Sequence, residues 1–176
     1  MFANGVMPLT KFLPPIALGV LALAAPASPA EAAIGPDAGA CRAASGRPAI
    51  LVNVTGFKAR SGRVRVQVYA SPADFLEKGR KLRRIDVPIS GSGAMPVCVA
   101  VPGPGRYAVA VRHDVNGNNR SGDWSDGGGF SRNPHLSLTN LKPRYRDVVI
   151  SVGDGVTPTQ VILNYKKGLS IGPARS

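Results

Sequence analysis

Seven short runs rich in β-branched residues, set apart by turn formers, constrain this chain more than anything else in it. They are AILVNVT (49–55), RVRVQVYAS (63–71), RRIDVPIS (83–90), MPVCVAV (95–101), RYAVAVRHD (106–114), DVVISV (147–152) and TQVILNY (159–165). In the second run Val64, Val66 and Val68 fall on one face and Arg63, Arg65 and Gln67 on the other, the period of a strand with one buried and one wet face. Long helical patterns are missing, and Gly and Pro are abundant. Strands this short must stack to bury their apolar faces, so the expected fold is all-β: an antiparallel two-sheet sandwich of about seven strands.

The first 32 residues follow a different grammar. A lone Lys11 precedes an apolar run from Phe12 to Ala25, and small residues then offer cleavage after Ala30 or Ala32, which is the pattern of a secretory signal peptide. The run is shorter than the roughly 20 residues a membrane-spanning helix needs, and Pro14 and Pro15 interrupt it. The expected organisation is a signal peptide over 1–32, a lead over 33–48, one sandwich domain over 49–166 and a flexible tail over 167–176, with no transmembrane segment in the mature chain. The expected location is periplasmic or secreted.

Export changes how the two cysteines read. An even pair in an oxidising compartment pairs as a disulfide, so Cys41 and Cys98 are expected to bridge. Alternation in MPVCVAV puts Val97, Val99 and Val101 toward the core and Cys98 on the opposite face, so the bridge would strap the lead across the outside of a sheet.

The net charge is +12, and losing Lys11 and Glu31 together leaves it unchanged. Such a balance favours anionic surfaces. The densest cluster is Arg80, Lys81, Arg83 and Arg84, an expected contact for anionic lipid or polysaccharide as an envelope partner. Nucleic acid is not expected, because the chain lacks the aromatics interleaved with basic residues on which bases stack.

Chemistry concentrates in HDVNGNNRSGDWSD (113–126). Asp114, Asn116 and Asn118 stand at alternate positions, as the first ligands of a calcium loop do, and Asp123 or Asp126 would complete the shell. Gly117 eases the curl and Asn119 enters the left-handed conformation more readily than most residues. The twelfth position is Ser125 where a bidentate Glu would sit, so any calcium site is expected to be weak, near the millimolar range. The competing expectation is that the Asn and Asp side chains cap their own turns.

A hydrolase using His113 with Asp114, Asp123 and Asp126 is the alternative function. Adjacent strand residues point to opposite faces, which argues against a His113–Asp114 dyad, so the leading expectation is a non-enzymatic module.

The segment VAVPGPGRYAVAVRHDVNGN, with its H-D-x-N-x-N, resembles the uncharacterised bacterial secreted family known as domain of unknown function 2141. The resemblance continues through VTGFKARSGRVRVQVYASPADF, WSDGGGFSRNP and GVTPTQVILNY, from about Ile50 to Tyr165. It implies an immunoglobulin-like or transthyretin-like sandwich in the periplasm or outside the cell, and brings no established activity or ligand. The family loop usually reads D-x-N-x-N-G and then an acid; here Asn119 stands at the Gly position and the next acid is Asp123.

Overall fold

The computed structural model describes residue 1, residues 32–120 and residues 123–174. The expected signal peptide lies almost wholly outside these described residues. From residue 32 onward the chain forms β1 (Ala49–Thr55), β2 (Arg63–Tyr69), β3 (Arg83–Pro88), β4 (Met95–Ala100), β5 (Gly105–Asp114) and β6 (Gly127–Phe130). A single helical turn α1 (Tyr145–Val148) leads into β7 (Val149–Val152), β8 (Val156–Ile162), β9 (Asn164–Lys167) and β10 (Ser170–Pro173). Among the described residues no helix is long and apolar enough to cross a membrane.

The strands form the expected two sheets. The small one has the order β4-β1-β8, and the large one β10-β9-β6-β5-β2-β3, with β7 also paired to β5. Both contribute to one core, in which Ile50, Val52 and Val54 of β1 join Val64, Val66 and Val68 of β2, Val97 and Val99 of β4, and Val109 and Val111 of β5. The valines of β2 and β4 lie on the predicted inward positions. Each such side chain contributes about 1.5–3 kcal/mol by leaving water.

Three expectations need correction. The sandwich is not wholly antiparallel, because β8 runs parallel to β1: it enters the small sheet from β7 of the large one instead of turning back in a hairpin. TQVILNY is not one strand, since Leu163 turns a corner, its N–H bonded to the Thr55 carbonyl at 2.9 Å, and β9 continues in the other sheet. Of the tail expected to be flexible over 167–176, the described part folds back, with β10 antiparallel to β9.

The lead covers an edge of β4. The Ile34 N–H bonds the Pro96 carbonyl at 2.8 Å, and the Cys98 N–H bonds the Ile34 carbonyl at 3.0 Å. Asp37 accepts from the Ala100 N–H at 3.1 Å and from the Arg83 Nε at 3.0 Å. Cys41 and Cys98 form the expected disulfide. Cys98 packs with Ala40 and Ala49 in a small cluster of its own, on the face away from the main core.

A second apolar layer covers the outer face of the large sheet, where Tyr69, Ala108, Ala110, Phe130, Leu136 and Val148 cluster under Phe75, Leu76 and Tyr145. Phe75 meets Tyr69 and Tyr145 edge-on at centroid distances of 5.4 and 5.8 Å. The segment carrying it begins with Ser71, whose hydroxyl accepts the Asp74 N–H at 3.2 Å. From the sequence, Ser71, Pro72 and Asp74 ahead of Phe75 and Leu76 suit one short helical turn over an open end of the sandwich; the segment forms turns instead and packs over the sheet face.

Candidate functional site

Strand β5 ends in His113 and Asp114, and the following loop returns at Gly127. Within it the side chains fold onto their own backbone. Asp114 Oδ2 accepts the Asn119 N–H at 2.8 Å, Asn116 Oδ1 the Asn118 N–H at 3.1 Å, and Asn118 Oδ1 the Arg120 N–H at 2.8 Å. Gly117 and Asn119 take the left-handed conformation, with φ of 70° and 63°. The amides of Asn116 and Asn118 donate to Asp123 Oδ2 at 2.9 and 2.6 Å, and these two hydrogen bonds hold its carboxyl below the usual carboxylate value.

The five residues expected as metal ligands therefore divide. Asn116, Asn118 and Asp123 bond one another and the backbone. Asp114 and Asp126 flank the loop's root, where Asp126 Oδ1 accepts the Val115 N–H at 3.3 Å. Asp114 is 2% exposed. Its Oδ1 and the Oδ2 of Asp126 are buried without a hydrogen-bond partner among the described residues. Burial raises the Asp126 pKa, and the Asp114 charge adds to the rise. Among the described residues, no three His, Cys, Asp or Glu side chains gather to hold one metal ion.

His113 and Asp114 point to opposite faces, as alternation requires. His113 is fully buried and both its ring nitrogens are engaged, Nδ1 with the Tyr165 hydroxyl at 2.7 Å and Nε2 with the Ser61 carbonyl at 2.9 Å. A carbonyl only accepts, so Nε2 carries the proton and Nδ1 accepts from the Tyr165 O–H. The Lys58 N–H donates in turn to that hydroxyl at 3.1 Å. The chain of bonds has one consistent direction only while the imidazole is neutral. Burial pushes the Tyr165 pKa up to about 12, so its hydroxyl stays a donor.

Burial also lowers the His113 pKa from its ordinary 6.5, outweighing the Ser61 carbonyl and the charges of Asp126 and Asp114, which favour the cation; Arg60 adds to the lowering. Below the unfolded value, the unfolded chain therefore binds more protons at this group than the fold does. The stability His113 contributes is fully present above about pH 6.5 and is lost as pH falls through its folded pKa. Urea unfolding across pH 4.5–8 checks this: His113→Gln should flatten the acid limb, and an unchanged slope would show that other groups set it.

The basic cluster predicted at Arg80 to Arg84 is largely paired. Arg80 bonds Asp74 at 2.7 Å, Arg83 bonds Asp37 and Arg84 bonds Asp86. Lys81 makes no ion pair among the described residues and lines a cavity on the outer face of the large sheet. Two further arginines of that cavity, Arg65 and Arg112, went unrecognised in the sequence. Alternation places Arg65 outward, but only the strand register sets it opposite Arg112.

No curated protein and no solved structure matches the chain. Residues 52–160 match the family described as an uncharacterized protein conserved in bacteria, DUF2141. The matched span begins within β1, ends within β8 and takes in the 114–126 loop and both arginines of the cavity. Since it covers well over half of the 176 residues, the chain belongs to this bacterial family.

Proposed function

We propose that the protein is a non-enzymatic binding module of the bacterial cell envelope, exported through its N-terminal segment. The observation that carries this reading is the engagement of His113: the imidazole expected to serve a hydrolase is sealed in the core with both nitrogens bonded inside the protein. A general base must reach the proton it removes, and this one reaches Tyr165 and Ser61. The Cys41–Cys98 bridge supports export, because such bonds persist in oxidising compartments. The charge of +12 suits an acidic envelope surface of lipid or polysaccharide. Cell fractionation with mass spectrometry of the N-terminus tests the placement: the expected product is periplasmic or secreted and begins after Ala30 or Ala32, whereas an uncleaved cytoplasmic chain overturns it. Turnover of ester or glycoside substrates that His113→Gln abolishes would overturn the non-enzymatic reading.

The orphaned oxygens of Asp114 and Asp126 favour a second reading for the loop, as a weak calcium site. A cation between them would satisfy two buried acceptors that have no partner among the described residues. The surrounding positive charge limits its affinity to the millimolar range of extracellular modules. With a dissociation constant of about 1 mM, 10 mM calcium should raise the melting temperature by roughly 3–6 °C. Asp126→Asn should remove that rise while raising the calcium-free melting temperature, since a buried carboxylate is lost. No rise in the wild-type protein would leave the loop a self-capped turn.

A further inference from the structure

The cavity on the outer face of the large sheet has a volume of about 410 Å3. Arg65 of β2 and Arg112 of β5 stand directly opposite one another there, and their side chains are only 10% and 17% exposed. Like charges placed opposite each other destabilise a sheet, and buried charges need partners. Arg65 has them: its Nε bonds Asp86 at 2.7 Å and its Nη2 bonds Asn119 Oδ1 at 3.2 Å. Arg112 is less well matched: it reaches Asp114 with one terminal nitrogen at 3.4 Å, and its buried Nε has no acceptor among the described residues. Of the nearby carboxylates, Asp86 is shared between Arg65 and Arg84, and Asp114 meets Arg112 only through Oδ2.

Around this pair the cavity wall gathers more cations. Lys78, Lys81 and Lys142 line it against a single carboxylate, Glu77. The remaining wall is apolar where Tyr69, Leu76 and Phe130 contribute. We propose that this cavity binds the phosphate group of a small phosphorylated organic molecule, with the Arg112 guanidinium and the wall lysines as its donors.

Three features select that chemistry. With Arg65 and Arg112 paired to Asp86 and Asp114, the three lysines against Glu77 still leave an excess of positive charge, which suits a phosphate monoester, carrying about −1.5 to −2 charges at neutral pH, better than a carboxylate carrying one. A guanidinium presents a planar fork of donors that matches phosphate oxygens, while lysines at the wall add charge without fixing geometry. The apolar wall gives the organic remainder of the ligand somewhere to lie, which bare phosphate would leave unused. A bound dianion would also relieve the repulsion between the arginines; burial and the Arg65 charge together lower the Arg112 pKa. The inference rests on the reading of the protein as a binding module and goes beyond it by naming a site and a ligand class.

The test is NMR titration of the purified protein, following the arginine Nε–H resonances, with phenyl phosphate, inorganic phosphate and benzoate as probes. Phenyl phosphate should shift the Arg112 Nε–H saturably and bind more tightly than inorganic phosphate. Benzoate should bind at least about tenfold more weakly than phenyl phosphate, and Arg112→Gln should weaken phenyl phosphate by about tenfold or more. Lys166→Gln, which pairs with the Trp124 ring and does not line the cavity, should change nothing. Should Arg112→Gln fail to fold, the paired substitution Lys78→Gln and Lys81→Gln carries the same comparison, with a loss of several-fold expected. Absence of a saturable shift, or affinity that the cavity substitutions leave intact, overturns the site without touching the non-enzymatic reading. Release of phenol that Arg112→Gln abolishes would support the site and overturn the non-enzymatic reading.

Discussion

Replacing Cys41 and Cys98 together by alanine is expected to destabilise the domain by about 4 kcal/mol, which for a chain of this size lowers the melting temperature by roughly 10–15 °C. The bridge spans a sequence separation of 57, and a cross-link of that length removes much of the freedom of the unfolded chain. Its partners within the fold limit what else changes. Ile34 keeps its two backbone bonds to Pro96 and Cys98, and Asp37 keeps Arg83, so the lead should stay on the β4 edge in the native state and open more often. Two measurements separate this from a general weakening. Thermal unfolding in a reducing agent should bring the wild-type protein down to the double variant and leave the variant unmoved. Amide exchange should quicken most over 34–45. A double variant melting within about 3 °C of the wild type would mean that the unfolded chain is already constrained there, or that the lead is held without its bridge.

How much of this was legible in the sequence varies from strand to strand. The runs 49–55, 63–71, 83–90, 95–101 and 106–114 became β1 to β5 because alternation and β-branching are local properties, readable without knowing any partner. The outward position of Cys98 followed from the same period. Register is a different matter. That Arg65 lies opposite Arg112, or that Tyr165 reaches His113 across 52 positions, depends on which strands neighbour one another, and no period encodes that. The loop divides the same way. The left-handed Asn119 and the turn-capping Asn116 and Asn118 follow from the chemistry of short polar side chains, but the seclusion of His113 follows from packing. The pairing of the basic cluster at Arg80 to Arg84 was not legible for a related reason. Charge density along the chain takes no account of acids that arrive from elsewhere, and Asp37 arrives from 46 positions away.

Strand β6 was invisible because it reads GGGF (127–130), a composition that β-propensity rejects. Its glycines are there for closeness. An added Cβ at Gly127 would run into the Tyr165 ring, and one at Gly129 would come within 2.5 Å of the Ile162 carbonyl oxygen and 2.8 Å of a Val161 methyl. Both face inward, to where β8 passes its corner into β9. Gly128 faces outward, and its Cβ would meet only the Val111 carbonyl at 3.6 Å, an ordinary contact. The three substitutions to alanine should therefore separate sharply. Gly129→Ala strikes backbone that cannot swing aside, and should cost about 3 kcal/mol or more. Gly127→Ala should cost a similar amount by a different route, pushing the Tyr165 ring from the position at which its hydroxyl joins Lys58 to His113. Gly128→Ala, which stiffens the unfolded chain without a new clash, should be neutral or stabilising by a few tenths of a kcal/mol, on the order seen where alanine fits the native backbone. The Gly127 variant should also let the His113 side chain titrate nearer its ordinary value, visible in the imidazole resonances, while the Gly129 variant, if it folds, should leave the imidazole neutral to lower pH. Equal losses at all three positions would mean that the run is short of side chains for flexibility alone; a loss confined to 127 and 129 ties it to the close approach of the β8–β9 corner.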